Sequence, residues 1–190
     1  MNDATATATT ATAAPAIPPA LLELAARLAQ RPMFPAEADN GTLHVGAADL
    51  PYAEAGDGSA IQLLHVDLNT NLWISKVRVP PGYRVIKHYH TGHVYGVTLQ
   101  GRWFYAEAPE AVNAPGSYLF EPAGSVHTLC TPADQQGDTV VWFAVHGSNV
   151  NLDAEGKVVS VMDARLALEV YRGYCHALGL DCSRLIVVGE

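Results

Sequence analysis

The stretch Gly82–Gly101, GYRVIKHYHTGHVYGVTLQG, decides how the rest of the chain is interpreted. Its apolar and β-branched residues favour strands, and Pro80 and Pro81 make a turn before it. His88 and His90 stand two positions apart, and in a strand this spacing places both imidazoles on one face. Because neutral imidazole is the commonest metal ligand, two such side chains held together provide half of a metal site.

The composition predicts one folded domain with appendages. The chain has 190 residues, of which 49% are hydrophobic and 16% charged, enough for one good core. A formal net charge of -8 with scattered basic residues argues against nucleic acid or an anionic membrane surface as the main partner. The 3 cysteines include no CxxC pair, so reduced thiols in a cytoplasmic protein are expected. Neither a membrane-spanning run nor a signal peptide is indicated.

Shifts in composition divide the chain into four regions. The Ala/Thr-rich tail has nothing large enough to build a core, and we expect it to be disordered. A helix and lead-in, a barrel that holds the metal site, and an extension with a helix and a strand follow it. The predicted bounds are 1–17 for the tail, 18–58 for the helix and lead-in, 59–150 for the barrel and 151–190 for the extension.

Helical periodicity marks two short helices outside the barrel. The run Pro19–Gln30 places leucines and alanines at helical spacing, and Asp163–Leu178 has an apolar face before Gly179. The second face is predicted to comprise Leu166, Leu168, Val170, Tyr171 and Tyr174. Short strands are expected at Leu43–Val45 and Leu185–Val188.

Between these helices, short strands alternate with turn signals and no helices are interleaved. This pattern is typical of an all-β sandwich or barrel, and a jelly roll of about eight strands is the predicted fold. The predicted strands are Ala60–Val66, Asn71–Val79, Tyr83–His90, His93–Leu99, Trp103–Glu107, Ser117–Phe120, Val126–Cys130 and Thr139–His146.

A second stretch, Gly116–Thr131 or GSYLFEPAGSVHTLCT, supplies one more imidazole at His127 after a Pro and Gly turn. Together the two stretches resemble the two motifs of the cupin superfamily at their glycines, proline and three histidines. The resemblance implies the double-stranded β-helix of cupins, a jelly-roll barrel. It also implies that His88, His90 and His127 point into the barrel and bind a divalent metal.

One position departs from the cupin pattern. Cupins usually carry a glutamate ligand at the position that Val94 occupies here. Three neutral imidazoles would leave the charge of the metal uncancelled and several coordination positions open, which favours an anionic, chelating substrate and O2. Glu107 would restore a carboxylate, as a base or an extra ligand, if it faces inward with Trp103 and Tyr105. The alternative for Glu107 is a solvated strand end.

Within the cupins, three segments are similar to the 2,4'-dihydroxyacetophenone dioxygenase-like and acetylacetone dioxygenase-like group. They are His88–Gly92, Gly101–Glu107 and Glu121–Leu129. The resemblance implies an Fe(II) dioxygenase that cleaves a C–C bond beside a carbonyl in a small hydroxyketone or diketone, giving two carboxylic acids. Glu107 is then the candidate for the base that removes the acidic proton.

Two other functions remain open at this point, because cupin barrels support many chemistries. One is a zinc- or nickel-binding cupin with a sensory or structural role and no catalysis. The other is a redox-neutral isomerase or lyase. The expected partners are a small carbonyl compound and O2, and the terminal elements are expected to mediate a homodimer or homotetramer.

Overall fold

The computed structural model describes residues 41–190 and, upstream of them, only Pro19 and Glu23. The predicted tail therefore lies outside the described residues, and so does the predicted helix Pro19–Gln30 except for Pro19 and Glu23, which are helical. Residues Leu43–Glu190 form one compact unit. Among the described residues, no helix is long and apolar enough to cross a membrane.

Short strands dominate residues 41–190, and the one helix of this range, α1, lies near its end. The elements are β1 (Ala53–Glu54), β2 (Ala60–Asp67), β3 (Leu72–Val79), β4 (His88–His90), β5 (Val94–Gln100), β6 (Trp103–Tyr105), β7 (Ala108–Asn113), β8 (Tyr118–Glu121), β9 (Leu129–Cys130), β10 (Thr139–His146), β11 (Asn149–Leu152), β12 (Val158–Met162), α1 (Ala164–Leu178) and β13 (Ile186–Val188).

These strands form one large sheet and two small ones. The large sheet has the order β1-β2-β3-β10-β5-β8, and β13 pairs with β2 as its seventh strand. The small sheets have the orders β12-β11-β4 and β7-β6-β9. Every pairing is antiparallel except that of β13 with β2. This confirms the predicted all-β jelly roll.

Side-chain alternation on the strands separates the interior from the outer surface. On β3, Trp73, Ser75 and Val79 are buried, whereas the residues between them are half-buried. Two apolar clusters fill the interior, one beside α1 and one around Trp103, whose indole Nε1 donates to Thr98 Oγ1 at 2.8 Å. The clusters include Leu63, Val66, Leu168 and Tyr171 in the first, and Val79, Trp103, Leu129 and Val141 in the second.

Helix α1 begins and ends with ordinary capping chemistry. The side chain of Asp163 accepts a hydrogen bond from Leu166 N at 2.8 Å, and Gly179 ends the helix with a φ of 65°. The buried face differs from the predicted one, because Leu166 and Tyr174 are exposed. The side chains that pack on the barrel are Ala164, Ala167, Leu168, Tyr171 and Cys175.

Local sequence signals located some strands well and others poorly. Thr139–His146 is a strand over its predicted length. The strand predicted at Tyr83–His90 is reduced to its last three residues, because the chain before them meets the partner strand only at the isolated Arg84–Cys130 bridge. The segment Leu43–Val45 is not a strand.

Four strands have no counterpart in the sequence-based prediction. They are β1, β7, β11 and β12. Strand β1 has only two residues, and β7 and β12 are largely exposed, so no apolar alternation marks them. Strand β11 pairs with β4 and runs across the predicted boundary at residue 150. The sheet that carries two of the histidines therefore includes residues from the predicted extension.

Two motif glycines have backbone conformations that other residues adopt only with strain. Gly101 has a φ of +73° and Gly116 a φ of +89°. A Cβ at Gly101 would lie 2.6 Å from Thr139 Oγ1 and 2.7 Å from Thr139 Cα, whereas a Cβ at Gly116 would meet nothing within 4 Å. The glycine at 101 is therefore required for space as well as for conformation.

Replacing each of these glycines with alanine separates the two requirements. We expect Gly116→Ala to lower the free energy of unfolding by about 1–2 kcal/mol, the cost of a left-handed conformation. Gly101→Ala adds overpacking against Thr139, so we expect it to lower the free energy of unfolding by about 2–5 kcal/mol. Urea denaturation monitored by circular dichroism measures both values. Equal losses for the two variants would show that the contact with Thr139 is unimportant.

Candidate metal centre

Three buried histidines lie together inside the barrel. His88 and His90 are on β4, and His127 lies beside them because its backbone pairs with that of His88 in an isolated bridge. The two amides exchange hydrogen bonds, His88 N to His127 O at 3.0 Å and His127 N to His88 O at 2.9 Å. One ring nitrogen from each histidine lies within 4.8 Å of the others. The cluster fits the ligand set that the sequence predicts.

The neighbourhood of His88 selects one tautomer. Its Nδ1 lies 2.8 Å from the carbonyl oxygen of Ile86, which can only accept a hydrogen bond. Nδ1 therefore carries the proton, and the lone pair of Nε2 is free for a metal ion. A hydrogen bond of this kind is the usual way in which proteins orient an imidazole ligand.

Burial keeps the three imidazoles uncharged. Burial first, and the neighbouring imidazole of His88 second, lower the pKa of His90 to about 3 and that of His127 to about 4. Burial also lowers the pKa of His88, against a smaller opposing effect of the Ile86 carbonyl. Because metal ions bind the neutral form, the cluster is in its ligand state at neutral pH.

A carboxylate that the sequence analysis did not assign to the site lies beside the histidines. Glu121 ends β8 and is 4% exposed. Its Oε2 lies 3.4 Å from His90 Nε2 and 3.3 Å from His127 Nε2, yet neither contact has the geometry of a hydrogen bond. Its Oε1 accepts a hydrogen bond from the hydroxyl of Tyr105. Glu121 Oε2 and His127 Nε2 are both buried without a partner among the described residues, as expected for atoms that surround a cation.

Burial has the opposite effect on the carboxyl of Glu121. It raises the pKa of Glu121 to about 7, although the Tyr105 hydroxyl acts to lower it. The pKa of Tyr105 is raised, first by burial and then by the neighbouring Glu121. A carboxyl with a pKa near neutrality suits proton transfer at physiological pH.

The strand register explains where this carboxylate comes from. Val94, the position at which the sequence analysis noted a missing glutamate, pairs directly with Glu121 across β5 and β8. Both side chains line the same cavity. The carboxylate is therefore supplied by the neighbouring strand at the same level of the barrel. The sequence motifs led us to expect three imidazoles with no carboxylate nearby. The pairing of Val94 with Glu121 corrects that expectation.

Glu107, which the sequence analysis proposed as a base or extra ligand, lies elsewhere. Its side chain is exposed and accepts hydrogen bonds from Thr128 N at 2.9 Å and Thr128 Oγ1 at 3.0 Å. Strand β6 ends at Tyr105, so the alternation that was expected to turn Glu107 inward stops before it. Glu107 does not line the cavity that holds the histidines, so the expectation that it faces inward is corrected.

The cavity beside the histidines is small and mainly apolar. Its volume is about 150 Å³, comparable with a cavity that accepts benzene. Of the aromatic residues, Trp73, Tyr105 and Phe143 line it, whereas Trp103 belongs to the core and Phe120 is 52% exposed on the outer surface. One end is polar, with His88, His90, Tyr105 and Glu121, and the remaining walls are mostly apolar.

The family follows from a match that covers more than half of the chain. Residues 40–149 match the ChrR cupin-like domain family. The chain belongs to this family of cupins. A comparison with curated proteins gives no match.

Solved structures with the same fold support this assignment. A Ralstonia eutropha JMP134 protein of unknown function with a cupin-like fold is 30% identical, covers 80% of this chain and 96% of its own, and has a TM-score of 0.74. An RmlC-like cupin from the same strain is 25% identical, and the match covers 74% of this chain and 91% of that protein with a TM-score of 0.69. An acetylacetone dioxygenase from Acinetobacter johnsonii is 20% identical, and the match covers 74% of this chain and 98% of that protein with a TM-score of 0.64. The last likeness is one of fold.

Metal-induced stabilisation distinguishes the cluster from other histidines. We expect Zn²⁺ or Ni²⁺ at 100 times its dissociation constant to stabilise the protein by about 2.7 kcal/mol. In His127→Ala, a 100-fold loss of affinity would leave about 0.4 kcal/mol at the same metal concentration. The matched control is His93→Ala, because His93 stacks on His146 at 4.2 Å and is outside the cluster. Thermal unfolding with and without metal measures the shift, and an equal effect of both variants would contradict the site.

The pKa values predict how the metal-free protein responds to acid. Unfolded histidines take up protons near pH 6.5, whereas folded His90 and His127 stay neutral down to about pH 3 and 4. Their contribution to stability is therefore full above pH 6.5 and is lost as the pH falls through this window. Glu121 acts in the opposite direction, because its folded pKa is raised and its contribution is lost as the pH rises from about 4.5 to 7.

The variant Glu121→Gln removes the opposing titration and isolates the histidines. In this background we expect the melting temperature of the metal-free protein to fall steadily from pH 6.5 to pH 4.5. Adding His90→Gln and His127→Gln should flatten this pH dependence. Differential scanning calorimetry in chelator-treated buffers provides the measurement, and an unchanged slope in the triple variant would contradict the assignment.

Proposed function

We propose that this cupin is an Fe(II)-dependent dioxygenase that cleaves a C–C bond next to a carbonyl in a small hydroxyketone or diketone. The observation that carries the proposal is the cluster of three histidines and Glu121 beside a small apolar cavity, which His88, His90 and Glu121 line. This arrangement offers metal ligands, a carboxylate for proton transfer and space for one small organic molecule. The acetylacetone dioxygenase of the same fold is consistent with it.

The residues present fit a divalent metal ion. Three neutral imidazole nitrogens converge, and buried atoms of His127 and Glu121 have no hydrogen-bond partner among the described residues. Imidazole suits iron as well as zinc and nickel. A bound Fe(II) ion would supply the positive charge that favours an enolate and the redox chemistry through which O2 reacts.

Glu121, in place of Glu107, has the position required of the base. Its Oε2 faces the histidines, and its pKa of about 7 allows it to accept a proton from the carbon beside a carbonyl. The Tyr105 hydroxyl donates to the other oxygen, Oε1, and so holds the carboxylate in one orientation. Tyr105 keeps its own proton because its pKa is raised.

The apolar walls determine what can react there. Val94, Leu129, Phe143 and Val145 line the cavity and favour a compact, uncharged carbon skeleton. Exclusion of water also strengthens the electrostatic interactions of Glu121 and the imidazoles with the bound molecule. For an aryl hydroxyketone, adding one O2 and breaking one C–C bond gives an aryl carboxylic acid and formic acid. No other reductant or oxidant is required.

A second candidate function is a zinc- or nickel-binding module without catalysis. The observation that favours it is a possible fourth donor, because the Glu121 carboxylate lies 3.4 Å from His90 Nε2 and 3.3 Å from His127 Nε2 and would complete a set of four ligands with the three imidazoles. Structural metal sites have closed coordination of this kind, whereas catalytic sites keep a position open. The role of Glu121, base or ligand, separates the two candidates.

An oxygen-electrode assay with iron-loaded protein tests the proposal. Protein purified without air and loaded with Fe(II) is expected to consume one O2 per molecule of 2,4'-dihydroxyacetophenone or of a β-diketone. Mass spectrometry should find oxygen from ¹⁸O2 in both cleavage products. Zinc-loaded protein is the control and should consume none. No uptake by fully iron-loaded protein with either substrate class would overturn the proposal.

Two carboxylate variants identify the base and separate the candidates. Glu121→Gln should keep its iron, because the three histidines are intact, and lower kcat by about 10²–10⁴. Glu107→Gln is the matched control and should keep both iron and turnover. Metal analysis and steady-state kinetics of the two variants provide the readout. If Glu121→Gln instead loses its iron, Glu121 is a ligand and the closed, non-catalytic site is favoured.

A further inference from the structure

Two polar side chains of the cavity have no partner and no role in the chemistry described above. Trp73 and Ser75 stand two positions apart on β3, and both line the cavity. Trp73 is 7% exposed and Ser75 1% exposed. Indole Nε1 of Trp73 and Oγ of Ser75 are buried without a hydrogen-bond partner among the described residues. Because unpaired buried donors are costly and rare, these two atoms point to a ligand.

The sheet register places this pair away from the carboxylate. Trp73 pairs with Val145, Val145 pairs with Val94, and Val94 pairs with Glu121, so one row crosses four strands. With neighbouring strands about 4.8 Å apart, Trp73 and Glu121 are separated by about 14 Å along the sheet. All four side chains of the row line the cavity. The two donors therefore lie at the far end of the cavity from Glu121, with apolar side chains between.

The opposite wall does not satisfy these donors. Asn149 and Asn151 lie on β11 beside the histidine strand, and Asn149 Nδ2 donates to Asn151 Oδ1 at 2.8 Å. Asn151 Nδ2 in turn donates to Ser160 Oγ at 2.9 Å. The two asparagines are thus held by each other and by β12. Trp73 and Ser75 remain available for a bound molecule.

The charge of the cavity limits the group that binds there. Among the described residues, no lysine or arginine lines this cavity. A carboxylate at the far end would be buried without a counter-ion, which is strongly unfavourable. An indole N–H only donates, so the matching group is an acceptor. An uncharged oxygen, as in a ketone, phenol or alcohol, meets both conditions.

We propose that the Trp73 indole and the Ser75 hydroxyl form a second polar subsite, which binds an uncharged oxygen of the substrate remote from Glu121. The inference rests on the proposed function, since it names the substrate class of the same site. The substrate is then bifunctional. A carbonyl and its neighbouring oxygen lie at the histidine end, an apolar unit of about the size of a benzene ring packs on Val94, Phe143 and Val145, and a neutral oxygen reaches Trp73 and Ser75.

Binding to zinc-loaded protein tests the subsite without turnover, so its outcome is independent of dioxygenase activity. The probes are 2-hydroxyacetophenone, its 4'-hydroxy derivative and its 4'-carboxy derivative, with affinities measured by isothermal titration calorimetry. The 4'-hydroxy compound should bind about 10-fold more tightly than the unsubstituted one, as expected for one or two buried hydrogen bonds. The 4'-carboxy compound should bind more weakly than either.

Conservative variants assign the preference to the two residues. Trp73→Phe and Ser75→Ala should each reduce the preference for the 4'-hydroxyl and leave the affinity for 2-hydroxyacetophenone within about twofold. Trp142→Phe is the matched control, because Trp142 alternates with Phe143 on β10 and is absent from the cavity lining. Its preference should be unchanged. Circular dichroism confirms that each variant is folded.

Three outcomes would overturn the subsite. The first is equal affinity of the normal protein for the 4'-hydroxy and unsubstituted probes, which means that the donors do not bind a substrate oxygen. The second is a preference that persists in the double variant of Trp73 and Ser75. The third is an equal loss of affinity for both probes in the single variants, which indicates a packing role only.

Discussion

The site depends on one pair of backbone hydrogen bonds, those exchanged between His88 and His127. These residues lie far apart in the sequence, and the bridge fixes their side chains on the same side of two neighbouring segments. The i, i+2 spacing then adds His90 to the cluster without further contacts. Because the bridge uses the backbone, it positions three ligands without using any of their ring nitrogens. Strand pairing therefore sets the geometry of the centre before a metal binds.

Local patterns were sufficient for the parts of the site that depend on alternation within one segment. His88 and His90 share a face because of their spacing, and His127 follows a turn with proline and glycine. The strand Thr139–His146 was equally clear, since it is apolar and bounded by turn residues. Glycine positions were informative for a physical reason, because Gly101 has both a positive φ and a neighbour, Thr139, that leaves no room for a side chain.

Features that depend on which strands are neighbours were beyond the sequence patterns. Glu121 reaches the histidines because β8 pairs with β5 and places it opposite Val94, and no pattern within YLFE shows this register. Whether Glu107 faces inward or solvent stayed open because the end of β6 could not be read from its residues. Sequence patterns did not indicate Ser75, which lines the same cavity as Trp73 and Glu121.

Burial shifts the pKa of the imidazoles and that of Glu121 in opposite directions, but in both cases it favours the uncharged form. It lowers the pKa of His90 and His127 and raises that of Glu121, so in each case the uncharged form is favoured. A centre assembled in this way has neutral nitrogen donors ready and a carboxyl poised near neutral pH. The apolar walls that cause these shifts would also favour an uncharged carbon skeleton in a bound molecule, so the composition of the cavity affects both the acid–base state of the site and the kind of molecule that fits it.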